Sequence, residues 1–490
     1  MPVRIAIDVG TNGGKIHYGC RDGDDLTIDE AYRFETRTRE VEGRVVWDID
    51  HLLSEVVTGL ELVQESTSDT IVSVGIDTTA GDFGLIADGE LIRNPYCYLD
   101  TSLYSKNDEV LTRISREEAF QITGYNGIPG SIYYQYHSEP ELFERADQLL
   151  TLPQLLSFEL GAEPSGEETF ATTLRISDAR TRDWASELIE VLELPTDVLP
   201  ELHPPGTKVG TLSPSVSDQF DGEADILLTP SHDTAAAMAA VPFEQDSRGF
   251  LATGSWVIPG LELPEPVITE NAFERAGSNE LSVGGAIRFL QNVPGFSLLE
   301  HCRETWEVEG GIYEHDELLE AVRSAAPYGP LIDPADELFF RGHMEGNVVD
   351  KIQQYCRETG QTPPEREGEI ARCVSESLAA RSAIVLESLI GAAETHTERI
   401  HLIGGGVRNP VFCQMVASAA GLPVKAGPVE ATAVGNLLSQ MNAGGDIESY
   451  EAGRDLIEAN VDFDHYEPAD HGEWNDVIGR MYSLVRSRGT

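Results

Sequence analysis

Three observations predict an α/β protein built from two similar halves. A short apolar strand, Arg4–Asp8, runs directly into a glycine-rich turn, Val9-Gly10-Thr11-Asn12-Gly13-Gly14. The same pattern recurs past the middle, where Phe250–Thr253 ends in Gly254-Ser255-Trp256. Between such units apolar residues recur at helical spacing. With 490 residues the chain is too long for one ordinary core, and two domains are expected, at 1–243 and 244–490.

Each element has a local reason. After the first glycine turn, Lys15–Gly19 is expected to return as an antiparallel strand. Ile71–Ile76 is a further β-rich run that ends in Asp77-Thr78-Thr79. Phe83–Ala87 and Glu90–Ile92 flank Asp88-Gly89, a two-residue hairpin signal. Ile226–Leu228 leads into Thr229-Pro230-Ser231-His232-Asp233, and the small residues of Thr234–Ala240 suit a tightly packed helix. The region Pro242–Gly249 reads as the connection between halves. Gly368–Leu389 is a helix whose Ile370, Val374, Leu378, Val385 and Leu389 share one face, with Gly391 placed to stop it. Arg399–Ile403 is a strand followed by Gly404-Gly405-Gly406, and Asn409–Ala420 is the helix after that turn. From Ala443 onward the chain is an acidic tail without a motif.

Composition excludes several classes. Hydrophobic residues make up 41%, far from a disordered composition. No apolar run approaches the roughly 20 residues of a membrane helix; the longest, Ala235–Phe243, is broken by Pro242. Met1-Pro2-Val3-Arg4 leads straight into a strand, so a cytoplasmic protein is expected. The six cysteines form no C-x-x-C pair and no zinc spacing, and read as small buried hydrophobes. There are 84 acidic and 34 basic residues, a net charge of −50, and only five lysines. The acid excess is spread along the chain, whereas a surface for a basic partner would form a local block. Adaptation to high salt accounts for both the spread and the scarcity of lysine. The same charge argues against nucleic-acid binding.

The glycine turns suggest phosphate chemistry. In Asp8-Val9-Gly10-Thr11-Asn12-Gly13-Gly14-Lys15, glycines let the backbone approach an anion, Thr11 and Asn12 add donors, and Lys15 adds a positive charge. Asp8 can hold magnesium through water. The spacing is not that of a Walker A loop. Taken alone, such a hairpin is more often a plain turn. Gly254-Ser255 can form a second phosphate-facing turn. Gly404-Gly405-Gly406 lacks the third glycine of the dinucleotide fingerprint but allows a flat ligand against the backbone, while Asn409 suits a helix cap. Ser231, His232 and Asp233 are adjacent and are not expected to point at one another as a triad. Asp233, at a strand end, suits a general base, although a plain N-cap aspartate is the commoner role.

Together these motifs resemble the FGGY carbohydrate kinases, and within them the rhamnulokinase group. The resemblance runs from about Arg4 to Gly444 and is most specific at IDTTAGDF (Ile76–Phe83), SHDTA (Ser231–Ala235), LIDPADELFF (Leu331–Phe340), GEIARCVSESLAAR (Gly368–Arg381), IGGGVRN (Ile403–Asn409) and AGPVEATAVGN (Ala426–Asn436). It implies two actin-like (ribonuclease H-like) domains with ATP and a sugar in a cleft between them. It implies Asp233 as catalytic base, with Asp8 and Asp233 sharing the magnesium environment. Nucleotide contacts are implied for Gly10, Thr11, Asn12, Gly13, Gly14, Lys15, Gly254, Ser255, Glu300, Gly404, Gly405, Gly406 and Asn409. Sugar contacts are implied for Ala80, Asp82, Phe83, His232, Asp233, Thr234 and Asn292. The departures lie on the sugar side. Thr79-Ala80 replaces Trp-Gly, Leu99 replaces the arginine of a YRD segment, and Phe273–Gly277 replaces an asparagine-glutamate segment. The expected activity is ATP-dependent phosphorylation of a pentose, a ketose or a sugar phosphate such as ribose 1-phosphate, with Arg275, Arg175 and Arg93 as sources of positive charge. L-rhamnulose is an alternative acceptor, and a non-catalytic nucleotide- or sugar-binding relative a further alternative. The partners expected are small molecules, with a homodimer as the assembly left open.

Overall fold

Strand Val3–Val9 is buried along nearly its whole length, with Ile5, Ala6, Ile7 and Val9 fully so. Such a continuous apolar strand requires cover on both faces. In the computed structural model, which describes residues 1–11, 13–217, 223–244, 247–308, 315–340 and 346–488, it is an inner strand of a six-stranded sheet. The order is Lys208–Thr211, Asp225–Leu227, Ile71–Thr78, Val3–Val9, Gly14–Asp22 and Asp25–Phe34. Asp225–Leu227, Ile71–Thr78 and Val3–Val9 run parallel, and Gly14–Asp22 returns antiparallel after the glycine turn. Helix Ile49–Ser66, capped by Asp48, lays Leu52, Val56, Leu60 and Val63 into the core of this sheet.

The chain divides into two compact units. The first comprises Met1–Pro242, Leu263–Phe289 and Ala431–Val461; the second comprises Phe243–Glu262, Leu290–Glu430 and Asp462–Thr490. Beyond the division expected at 243/244, the units therefore exchange segments. Their strand plans are alike. In the second unit Gly249–Thr253 pairs antiparallel with Trp256–Leu263 across the glycine turn and parallel with Ile400–Gly404. Val424–Ala426 adds a further parallel strand, and Asp464–Tyr466 closes the edge antiparallel. The fold is the two-domain α/β plan that the sequence predicts.

Local expectations meet the structure closely. Asp88 and Gly89 have φ of 53° and 79°, the paired positive values of a tight hairpin turn. The long helix runs Glu367–Ala392, its five stripe residues all buried, and ends just past Gly391. The region beyond Ala443, acidic and without a motif in the sequence, is folded. Helix Tyr450–Asn460 buries Tyr450, Gly453, Leu456 and Ile457, Asp464–Tyr466 is a sheet strand, and His471–Arg488 is helical. Acidic residues there occupy the solvent face of amphipathic helices, which hides the apolar repeat in a composition count. No described helix is long and apolar enough to cross a membrane.

Helix Asp233–Ala239 packs as its small residues suggest, against helix Ala431–Ala443. The approach is so close that a Cβ on Gly435 would lie 1.8 Å from the carbonyl oxygen of Ala236. Backbone cannot yield as a side-chain tip can. Gly435→Val is therefore expected to lower the apparent Tm by roughly 5 °C or more, as a circular-dichroism melt would show.

Candidate active site

Parallel strands that end together bring their last residues together. Asp8 and Asp77 are direct register partners on neighbouring parallel strands, and Lys15 is the partner of Asp8 on the antiparallel side. Register partners project from the same face of a sheet, so Lys15, Asp8 and Asp77 form one row. The extension of the third parallel strand reaches the same edge, where Thr78 donates its N–H to the Ser231 carbonyl and pairs with His232. Asp233 follows at once, as the first residue of its helix.

Asp77 is a member of this row that sequence reasoning missed. It has zero exposure, and its Oδ2 accepts a 2.6 Å hydrogen bond from Asn436 Nδ2. Burial, with the charges of Asp8 and Asp233 beside it, pushes its carboxyl well above the ordinary range. The available signal was an aspartate ending a buried strand, the same pattern that singled out Asp8.

Around Asp233 a polar cluster forms within the first unit. Arg288 Nη2 lies 3.1 Å from His232 Nδ1 and 2.9 Å from Glu280 Oε2. Glu280 Oε2 also lies 3.5 Å from Nδ1; because a guanidinium only donates, the Arg288 contact suits the tautomer that carries its proton on Nε2. That nitrogen lies 3.2 Å from Asp233 Oδ1. His232 and Asp233 thus do meet, contrary to the expectation from their adjacency. The extended backbone of His232 (φ −87°, ψ 125°) precedes the first helical turn and lets the two side chains converge. Ser231 stays apart, its hydroxyl donating to the Thr229 carbonyl, so no triad results. Asp233 remains 39% exposed, open to a ligand. Thr234 bonds Asp233 Oδ1 through its hydroxyl at 3.0 Å.

The turn that carries Asp233 is held from below. Glu167, 1% exposed, accepts from the Thr169 and Phe170 N–H groups, from the Thr169 hydroxyl and from Ser231 N–H. Burial outweighs these donors and lifts its carboxyl to about 7. Glu167, Glu280 and Arg288 also escaped sequence reasoning. Arg288 had a weak signal, a single charge inside the apolar run Ala286–Leu290, whereas Glu167 and Glu280 lie in polar surroundings that hide them.

The remaining predicted sugar residues divide. Ala80 is half-buried beside Gly81, whose N–H donates to the Thr173 hydroxyl. Asp82 is buried and accepts from Trp47 Nε1 at 2.7 Å and Tyr98 N–H at 3.2 Å. Phe83 is a correction: it is 2% exposed in a core cluster and packs edge-on against Phe143. Strand alternation turns it away from the side to which Asp82 points. Of the three arginines, Arg93 is bound bidentately by Glu139 and stacks on Tyr96, and Arg275 bonds Asn271 on an exposed helix. Arg175 is part-buried beside the Tyr125 ring, with one bond to the Ile128 carbonyl.

Within the phosphate-loop candidate, Gly10 N–H bonds the Gly13 carbonyl at 3.1 Å, and Thr11 Oγ1 lies 2.8 Å from the Tyr98 hydroxyl. Gly14 admits the Phe34 ring, which a Cβ would meet at 2.1 Å. Asn12 lies outside the described residues. In the second unit Thr253 donates to the Ile403 carbonyl at 2.5 Å and accepts from Gly406 N–H at 2.9 Å. Gly404 has φ of 83° and, like Gly406, has no room for a Cβ against Thr253, whereas Gly405 faces open space. Gly254 and Ser255 are exposed in the turn before Trp256. Asn409 caps helix Pro410–Ala420 through Phe412 N–H and is 7% exposed. Glu300 is exposed and pairs with Arg303 at 3.0 Å, and Asn292 is exposed.

The FGGY family of carbohydrate kinases, N-terminal domain, matches residues 3–239, and its C-terminal domain matches residues 249–444. The chain belongs to this family. It is a carbohydrate kinase. It is 35% identical to the rhamnulokinase of Bacteroides thetaiotaomicron over 98% of this chain and 99% of that protein. With the rhamnulokinase of Halalkalibacterium halodurans it is 32% identical over 96% and 100%. Among solved structures, a ligand-bound xylulose kinase from Lactobacillus acidophilus superposes with a TM-score of 0.81 at 15% identity, covering 100% of this chain and 99% of that one. Plasmodium falciparum glycerol kinase with ADP gives 0.78 at 15% identity, covering 98% of each. The FGGY family implies ATP as donor and magnesium as its companion. The donor set fits magnesium, which keeps most of its water and takes one or two carboxylates beside substrate phosphates. Asp8 and Asp233 are carboxylates that could hold such an ion, and magnesium there would neutralise phosphate charge.

Two predictions follow from this geometry. Asp233→Asn is expected to cut kcat about 1000-fold in a coupled ADP assay with its melting curve unchanged. The second concerns pH. Burial raises the Asp82 carboxyl from 3.8 to about 7. The folded state then binds a proton that the unfolded state has released, so stability falls as pH rises from about 4 to 7 and levels above. Urea titrations at fixed salt should show wild type losing stability relative to Asp82→Asn across that window. A constant difference would contradict the shift.

Proposed function

We propose that the chain transfers the γ-phosphoryl group of ATP to a hydroxyl of a sugar that already carries a phosphate, with ribose 1-phosphate as the type substrate. Asp233 accepts the hydroxyl proton as the sugar oxygen bonds to phosphorus, and the bond to the β–γ bridging oxygen breaks to release ADP. His232 donates to Asp233 and keeps one oxygen engaged, which leaves the other for the substrate. Asp8 and Asp233 would hold magnesium, with Gly10, Thr11, Gly13, Gly14 and Lys15 of the same unit toward the phosphates.

The observation that carries the choice of acceptor is Arg175. In a chain with 84 acidic residues it has no carboxylate within ion-pair distance among the described residues. It stands next to Tyr104 and Tyr125 in the unit that contains Asp233, on a left-handed backbone of φ 63°. A non-glycine residue in that region costs energy that the surroundings must offset, and such residues cluster at ligand sites. A guanidinium on a phenol ring, whose acidic neighbour Glu280 is already paired with Arg288, suits a phosphate dianion. L-rhamnulose is the second reading, supported by the names of the curated relatives at 32–35% identity.

The test is a panel of ribose 1-phosphate, free pentoses and L-rhamnulose with magnesium ATP in molar KCl, the salt to which the charge of −50 points. The expected result is turnover of the sugar phosphate. Arg175→Gln should raise its KM by about 10- to 100-fold, the worth of a charged hydrogen bond. Turnover of L-rhamnulose alone would select the second reading.

A further inference from the structure

Arg288 is a cation with zero exposure, placed in the buried strand Ile287–Leu290. A guanidinium taken out of water must be held by its surroundings. Nε donates to the Leu281 carbonyl at 3.3 Å, and Nη2 reaches Glu280 Oε2 at 2.9 Å and His232 Nδ1 at 3.1 Å. Glu280 is 3% exposed and sits on the adjacent buried strand Ser278–Leu281. One pair of strands therefore aims the guanidinium at the imidazole beside Asp233.

The same hairpin is fastened to the base from a second side. Arg182 donates to the Ser282 and Gly285 carbonyls at its tip, at 3.2 Å and 3.1 Å, and pairs bidentately with Glu168. Next to Glu168 in the chain, Glu167 accepts from Ser231 N–H, two residues ahead of Asp233. The bonds close a ring. It runs from Ser231 through Glu167 and Glu168 to Arg182, along the hairpin to Arg288, and back through His232.

A base for phosphoryl transfer has need of such a frame. Asp233 is 39% exposed, and its Oδ1 is met by Thr234 N–H, by the Thr234 hydroxyl and by His232 Nε2. Those groups flank Asp233 in sequence and would follow it in any shift of the turn. The bond from Arg288 ties them to a strand of different sequence origin, across 56 residues. Displacing a reacting group by about 1 Å can cost on the order of 100-fold in rate. Apolar residues in place of a buried ion pair match its stability but carry no direction.

We infer that Arg288, held by Glu280, is a positioning residue for the transfer: it fixes the His232 ring so that Nε2 stays against Asp233 Oδ1 and the other carboxylate oxygen stays turned to the acceptor hydroxyl. The inference rests on the reading above that Asp233 is the base. With zero exposure, Arg288 acts through His232 and not on the substrate directly.

The experiment uses the full chain in molar KCl, with the acceptor that the panel identifies. The double variant Arg288→Met/Glu280→Leu removes both buried charges and leaves apolar side chains of similar size. Its apparent Tm should stay within about 3 °C of wild type, because such replacements are often neutral or stabilising. Its kcat should fall about 10- to 100-fold, while the KM for ATP changes less than about 2-fold, the pattern of an interaction that serves the transition state. In a His232→Ala background the same double change should lower kcat less than about 2-fold, because the ring through which it acts is gone. A double variant with wild-type kcat, or an equal loss in the His232→Ala background, overturns the positioning role and leaves Asp233 as base. A double variant that no longer folds marks the pair as structural and overturns the role as well. Wild-type turnover in Asp233→Asn overturns the base reading, and the positioning role with it.

Discussion

The first unit depends on tolerating carboxylates where parallel strands end together. Asp8 and Asp77 are register partners, and Asp233 follows the third strand to the same edge. Like charges this close cannot all be ionised without help. The structure answers in three ways. Asp77 is buried and accepts from Asn436, and its carboxyl is pushed toward the neutral form. Asp8 has Lys15 beside it in the antiparallel register. Asp233 stays partly in water and takes donors from His232 and Thr234. The result is an edge of three carboxylates, one buried and two kept beside a cation, donors or water.

A second layer keeps that edge in shape. Glu167 fastens the turn ahead of Asp233, and Arg288 and Glu280 both meet His232 at Nδ1. These charges are buried, and a buried ion pair adds little net stability compared with apolar packing. Their value lies in orientation. The second unit achieves a comparable end with backbone alone, since Thr253 crosslinks two strand ends and leaves Gly405 as the open glycine of its turn.

What could be read from sequence follows the range of the interactions. The strands at Arg4 and Phe250, the Asp88-Gly89 hairpin and the stripe of the long helix are local, and their spacing reports them. Asp8 and Asp233 were legible because each ends an apolar run. The supporting residues were not, because their meaning lies in partners far along the chain. Asn436 meets Asp77 across 359 residues, Arg288 meets His232 across 56, and Asp82 meets Trp47 across 35. Phe83 misled for the opposite reason: it sits inside a motif, yet strand alternation sends it to the core. The acidic C-terminal region gave no motif, since charged solvent faces mask the apolar faces of its helices.

The exchange of segments between units has a consequence for synthesis. Asn436, Gln440 and Gly435 belong to the first unit, although more than four hundred residues precede them. Gln440 bonds the Ile5 carbonyl and Ser73, and Asn436 bonds Asp77. On the ribosome the N-terminal strands emerge early, but the polar groups beneath their carboxyl ends wait for partners encoded near the end of the message. Until then the nascent first unit has an open floor and an uncovered acidic centre. A chain terminated before Ala431 would carry every strand of the six-stranded sheet and still lack the helix that closes it.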